Sequence, residues 1–153
     1  MNINVEIKGL EELKDAFDKA PTQVITETSK AIQKSILQIQ NDAMKEAPVN
    51  KQTGGGTLRQ NIRSRMMTKL SGVIEALAPY SVFVHEGTAP HIIRAKIKKG
   101  LANVRTGQFF GKIVHHPGTK PNPFFTRAIK NSGPKIETFF ATALKNVLKI
   151  FPK

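Results

Sequence analysis

The residues of this chain best suited to ligate a metal or carry a proton are its four histidines, His85, His91, His115 and His116. His85-Glu86 opens like the helix of a zinc protease, but that motif needs its second histidine four residues after the first, on the same helical face. Here the next histidine, His91, lies beyond Pro90, and the spacing fails. Histidines flanked by Pro and Gly read instead as turn and surface residues. The run from Gly107 to Lys112, GQFFGK, imitates a phosphate loop. It is one residue short between the glycines and has Ile113 where Ser or Thr would hold magnesium. No Gly-x-Ser-x-Gly elbow is present. The carboxylates Glu11, Glu12, Asp15 and Asp18 read as the solvated face of an amphipathic helix rather than an acid–base pair. With no cysteine, disulfides, thiolate metal sites and cysteine nucleophiles are excluded. The expectation is a protein without catalytic, metal or cofactor-binding residues, and not an enzyme.

Charge is the chemistry that remains. The formal net charge is +13, and it is unevenly spread. Residues 1–50 hold six lysines against eight acids, whereas residues 51–153 hold eighteen Lys or Arg against only Glu75, Glu86 and Glu137. Such a surface attracts an anionic partner: nucleic acid, a membrane face or an acidic protein ring. Arg94, Lys96, Lys98, Lys99, Arg105 and Lys112 cluster between residues 91 and 116. They suit sequence-independent phosphate contact through charge alone. Alternate lysines equally suit the protection of an exposed strand from edge-to-edge pairing. Stacking platforms for single strands are scarce, with no Trp, one Tyr, and Phe109-Phe110 serving as well for an interface or a core.

The elements that must position these residues follow from periodicity. Ile3, Val5 and Ile7 alternate with polar residues, a half-buried strand that Gly9 ends, and Leu10, Leu13, Phe17 and Ala20 fall at helical spacing. After Pro21, Ile25, Ile32, Ile36, Ile39 and Ala43 mark one stripe of a long helix running to Ala47-Pro48. The segment 49–57 carries three consecutive glycines and reads as a mobile surface loop, with Thr53, Gly54, Gly55 and Gly56 as interface candidates. LRQNIRSRMM and GVIEALA predict two antiparallel strands joined around Lys69 to Gly72. YSVFVHEGT has strand-like composition, but Pro79 before it, Tyr80, Phe83 and Val84 on one helical face, and Gly87 as a stop predict a short helix.

Residues 91–116 predict a protruding hairpin: Ile93, Ala95 and Ile97 alternate with cations, the strand breaks near Lys99-Gly100, and FFGKIVHH returns after a turn near Thr106-Gly107. A rigid elbow then leads into the last helices. Its residues are His115, His116, Pro117, Gly118, Pro121, Asn122 and Pro123, read together with Gly87. Asn122 suits a helix cap and Pro123 a first helical position, with Phe124 or Phe125 and Ala128 facing inward. Ser132-Gly133-Pro134 is expected to interrupt this helix. A final one would carry Ile136, Phe140, Ala143, Val147 and Phe151 on one face. The fold class expected is α+β. An antiparallel sheet from the N-terminal strand, the central pair and the hairpin packs on the long helix and the C-terminal helix, all in one domain spanning 1–153. The apolar runs are too short for a membrane span of about 18 residues. The start lacks the basic and apolar regions of a signal peptide, so synthesis in the cytosol is expected.

Several segments in this order are similar to a known family. They are IKGLEELKDAF, the long helix ending in Glu46-Ala47-Pro48, the Thr53-Gly54 loop before LRQNI, PYSVFVHEGT, and HHPGTKPNPFFTRAI ahead of a closing helix. In these the chain resembles the small head–tail joining proteins of long-tailed bacteriophages, also described as tail-component, neck or tail-completion proteins. The likeness covers nearly the whole chain, and its last two pieces are the specific ones. Gly55 and Gly56 lengthen the usual Thr-Gly step before Leu58, and the hairpin is a variable part of such proteins, so partner contacts do not carry over to it. The resemblance implies a non-enzymatic virion protein that forms a ring of its own copies, a hexamer being the expected count, between the portal complex and the tail tube. Its partners would be other head–tail connector and tail proteins, with non-specific DNA contact as a further expectation and no membrane. It would assemble in the bacterial cytoplasm and remain in the particle.

Overall fold

In a computed structural model of the chain, the structure describes residues 2–3, 22–49, 55–96, 100–103 and 106–149. The expected helix over Leu10 to Ala20, the strand residues Val5 and Ile7, and the terminal Phe151 lie outside them. The chain divides into two compact units, Met1–Ser81 with Phe124–Lys153, and Val82–Pro123.

The first unit is α+β. Strand β1 (Asn2–Ile3) pairs antiparallel with β3 (Ser71–Ala76), which pairs antiparallel with β2 (Ile62–Thr68), in the order β1-β3-β2. Helix α1 (Thr22–Glu46) and the C-terminal helix, Phe124–Leu148, run antiparallel, since Glu46 meets Arg127, Asp42 meets Ser132 and Glu27 meets Asn146. Of the stripe read from the sequence all but Ile25 is buried; Ile25 is half-buried, and Val24 and Thr28 are the buried residues of the first turns. Ile32, Ile36, Ile39 and Ala43 enter the core with Ile62, Val73 and Ile74 of the sheet and Phe124, Phe125, Ala128, Ala143 and Val147 of the last helix. At Gly72 an added Cβ would press on the Ile36 side chain at 2.9 Å, so the absence of a side chain there sets how closely α1 approaches β3. Gln40 ties the same layers: its amide donates to the Ile62 carbonyl at 3.3 Å and its carbonyl oxygen accepts from the Ser64 hydroxyl.

Three details correct the sequence reading. Leu58 to Gln60 do not extend the strand. They lie in a one-turn helix, α2 (Thr57–Gln60), in which Leu58 is buried and the Asn61 side-chain Nδ2 donates to the Thr57 carbonyl at 2.7 Å. Arg59 reaches from this turn to the carbonyls of Lys45 and Ala47, partners that the C-terminal end of α1 cannot find within itself. Among the described residues the hairpin strands pair with each other and not with the β1-β3-β2 sheet. Nor does Ser132-Gly133-Pro134 break the last helix, which is continuous from Phe124 to Leu148 with Pro134 inside. An internal proline costs about 3 kcal/mol. Continuity prevails because both halves of the helix put apolar residues in the core and Ser132, fully buried, donates to Asp42 at 2.8 Å. Pro134→Ala is therefore expected to stabilise the unit, by about 1–3 kcal/mol, read as a higher urea midpoint.

The polar contacts of Asp42 and Glu27 are expected to make the unit acid-sensitive. Burial raises the Asp42 carboxyl, but hydrogen bonds from Gln38, Ser132 and Lys45 outweigh it and hold the group below the ordinary range. Hydrogen bonds from Lys30 and Asn146 likewise lower Glu27. Both groups bind protons less readily folded than unfolded, so the stability they contribute is fully present above their unfolded values, about pH 4, and is lost as pH falls through the folded values. Thermal melts are expected to show a midpoint that declines below about pH 4, less steeply in Asp42→Asn. Ser132→Ala should cost about 1–2 kcal/mol at neutral pH.

Candidate functional site: a clasp at the base of the hairpin

The second unit begins within the short helix α3 (Ser81–Glu86), which forms before Gly87 as the sequence predicts but starts at Ser81 rather than at Pro79. Gly87 ends it with φ of 75°, the left-handed conformation that stops helices at little cost to glycine. Beyond it, β4 (His91–Arg94) pairs antiparallel with β7 (Ile113–His116), and β5 (Leu101–Ala102) with β6 (Phe109–Gly111). Hydrogen bonding continues past β4 in the same register, with the Ala95 amide donating to the Lys112 carbonyl at 2.9 Å. The pairing then shifts, since Leu101 lies opposite Gly111. The break expected near Lys99-Gly100 lies in part outside the described residues.

The base of the ribbon is closed by two Gly-Thr pairs. Thr88 and Thr119 form a bridge in register with β4 and β7, three residues beyond His91 and His116. The Thr88 amide donates to the Thr119 carbonyl at 3.0 Å, the Thr119 amide donates to the Thr88 carbonyl at 3.1 Å, and the two hydroxyls lie 3.1 Å apart. Each preceding glycine fits against the opposite chain. A Cβ at Gly87 would overlap the Thr119 carbonyl oxygen, and one at Gly118, whose φ is 86°, the Thr88 carbonyl oxygen. The contact is thus reciprocal, and neither glycine tolerates a side chain. One step on, the Asn122 amide donates to the Val84 and His85 carbonyls, both at 3.1 Å, supplying the end of α3 with partners that it lacks internally.

The histidines serve this geometry. His116 Nδ1 accepts the Gly118 amide at 3.0 Å, so in the neutral ring its proton is on Nε2. His91 Nδ1 lies 3.0 Å from the Ala89 carbonyl, which only accepts, so that nitrogen carries the proton. The two rings stack with centroids 4.9 Å apart, across a register pair. Among the described residues no three His, Cys, Asp or Glu side chains converge to hold a metal. No protein-family model, curated protein or solved structure matches the chain. The site is therefore read from its own geometry.

The elbow residues Gly87, His116, Gly118 and Asn122 are brought together by this clasp, while His115 points to the other face of the ribbon and Pro117, Pro121 and Pro123 are exposed. The last helix opens at Phe124, one residue after Pro123. Of the cations, Arg94, Lys96 and Lys112 are exposed. Lys98, Lys99 and Arg105 lie outside the described residues, as do Thr53 and Gly54 of the glycine loop. Gly55 is exposed, and Gly56, with φ of 141°, turns the chain into α2. Sequence reasoning missed Thr88 and Thr119. The available signal was the repetition of Gly-Thr in EGT and PGT.

Proposed function

We propose that this chain is a structural protein of a tailed-phage particle. It forms a ring of identical copies, six being the expected count, at the head–tail junction and takes part in tail completion or head–tail joining. The reading rests first on the resemblance. The observation that carries it furthest is that the two most specific segments of that resemblance, PYSVFVHEGT and HHPGTKPNPFF, meet in the clasp. A pair of backbone-locked glycines holding the base of a ribbon is a device for positioning a surface. Gly87, His116, Gly118 and Asn122 act in this role, with His115, Pro117, Pro121 and Pro123 completing the elbow around them, and the protein works without catalysis or cofactor. Its partners are its own copies and the neighbouring connector and tail proteins. It assembles in the bacterial cytoplasm and stays in the virion. Among the described residues no helix is long and apolar enough to cross a membrane. Gold-labelled antibody against the chain should mark the junction of intact particles. Labelling elsewhere, or none, would contradict the reading.

The exposed side chains of Arg94, Lys96 and Lys112 favour a second reading, sequence-independent nucleic-acid binding. It requires retention of duplex DNA that weakens steeply with salt. Exchanging these three cations for glutamine should then lower the salt slope by about 3.

A further inference from the structure

The β4–β7 ribbon has two faces, because side chains alternate along each strand. His91, Ile93, Val114 and His116 share one, and Ile92, Arg94, Ile113 and His115 share the other. On the second face all four residues are exposed, Ile92 by 49% and Ile113 by 48%. Nearer the tip, Phe109 and Phe110 are exposed as well. Two-stranded hairpins are marginal in water without an apolar face to pack, so this one is built to be covered. The segment Val82–Pro123 carries seven Lys or Arg against Glu86 alone. Two copies meeting through this same patch would set like charge against like charge, which disfavours a symmetric contact. A nucleic acid would satisfy the cations, but its phosphates have no use for Ile92, Ile113, Phe109 and Phe110, residue types that desolvated protein interfaces bury.

The chain itself supplies the complement. Residues 6–18 hold Glu6, Glu11, Glu12, Asp15 and Asp18 against Lys8 and Lys14, interleaved with Leu10, Leu13 and Phe17. We infer that the Ile92–Ile113 face of one copy docks head-to-tail on the acid-rich residues 6–18 of a second copy. This contact rests on the ring reading given above and assigns its donor and acceptor. A contact that leaves a free donor at one end and a free acceptor at the other is the kind that closes into rings.

Sedimentation velocity of the full chain tests this, with two variants. One carries Ile92→Asp and Ile113→Asp; the other Glu11→Lys, Glu12→Lys, Asp15→Lys and Asp18→Lys. The wild type should associate as its concentration rises, and each variant alone should stay monomeric. An equimolar mixture should stop at dimers, because only one sound interface remains per pair. Because the ribbon changes fall on exposed side chains, unchanged circular dichroism serves as the folding control. Arg94→Glu with Lys112→Glu gives a second disruption that leaves the isoleucines intact. Wild-type association undiminished in the ribbon variants would overturn the docking assignment and leave the ring reading standing. Both variants monomeric but a mixture that forms no dimer would overturn the head-to-tail geometry. A wild type that remains monomeric throughout while retaining duplex DNA, and loses that retention in Arg94→Glu with Lys112→Glu, would overturn ring and docking together in favour of nucleic acid.

Discussion

Gly118→Val is expected to open the clasp and strip amide-exchange protection from Thr88, Thr119 and Asn122, while amides of α1 and the C-terminal helix keep theirs. Two effects add. A φ of 86° is one that a branched side chain occupies at a cost of about 1–2 kcal/mol. The new Cβ would also overlap the Thr88 carbonyl oxygen and crowd the Ala89 carbonyl carbon at 3.0 Å. These are backbone atoms, so no rotamer change relieves the overlap, and the combined loss should be about 3 kcal/mol or more. Gly107 separates the two effects. Its φ is 69°, but a Cβ there meets nothing within 4 Å, so Gly107→Ala should cost only about 1 kcal/mol. Equal effects of the two substitutions would show that the close approach at Gly118 is unimportant.

The second large effect belongs to the start of the last helix, labelled α4 in chain order. Phe124 and Phe125 are both fully buried, with ring centroids 4.8 Å apart and planes tilted by 34°. Adjacent helical residues point about 100° apart, so α4 is enclosed on two sides where it begins. Phe125→Ala removes most of a buried ring and leaves a cavity, at an expected cost of about 3–5 kcal/mol. In a chain of this size that lowers the melting midpoint by about 10 °C or more. Phe125→Leu should recover much of the loss. A melting point unchanged in Phe125→Ala would mean that this end of the helix is not part of the core.

What could be read from the sequence followed the range of the interactions involved. The α1 stripe from Ile32 to Ala43 and the β2–β3 pair beyond Asn61 are dictated by burial repeating every few residues, and they are where periodicity puts them. The short helix before Gly87 was legible from its stop, which is a property of one glycine, whereas Tyr80 and Phe83 of the face read from the sequence are exposed. Pro134 misled because the rule that helices end at proline is local, whereas the packing of Phe124, Ala128, Ala143 and Val147 along one helix is not. The elbow was legible as rigid from its prolines and glycines, but its partner was not. Thr88 and Thr119 are 31 residues apart, and only the folded ribbon brings the two Gly-Thr pairs into register. Alternation in Ile93 and Ala95 announced a hairpin. It carried no information on whether that hairpin would join the β1-β3-β2 sheet, because edge pairing depends on where the chain travels between strands.

The clasp, the exposed ribbon face and the resemblance are the grounds for the proposed role in assembly, and its most direct test is electron microscopy of particles made without this chain. Full heads and finished tails are expected to accumulate separately, with joined, infectious particles restored when the intact chain is supplied and not when Gly118→Val is. Normally joined and infectious particles formed in its absence would contradict the assignment to the head–tail junction.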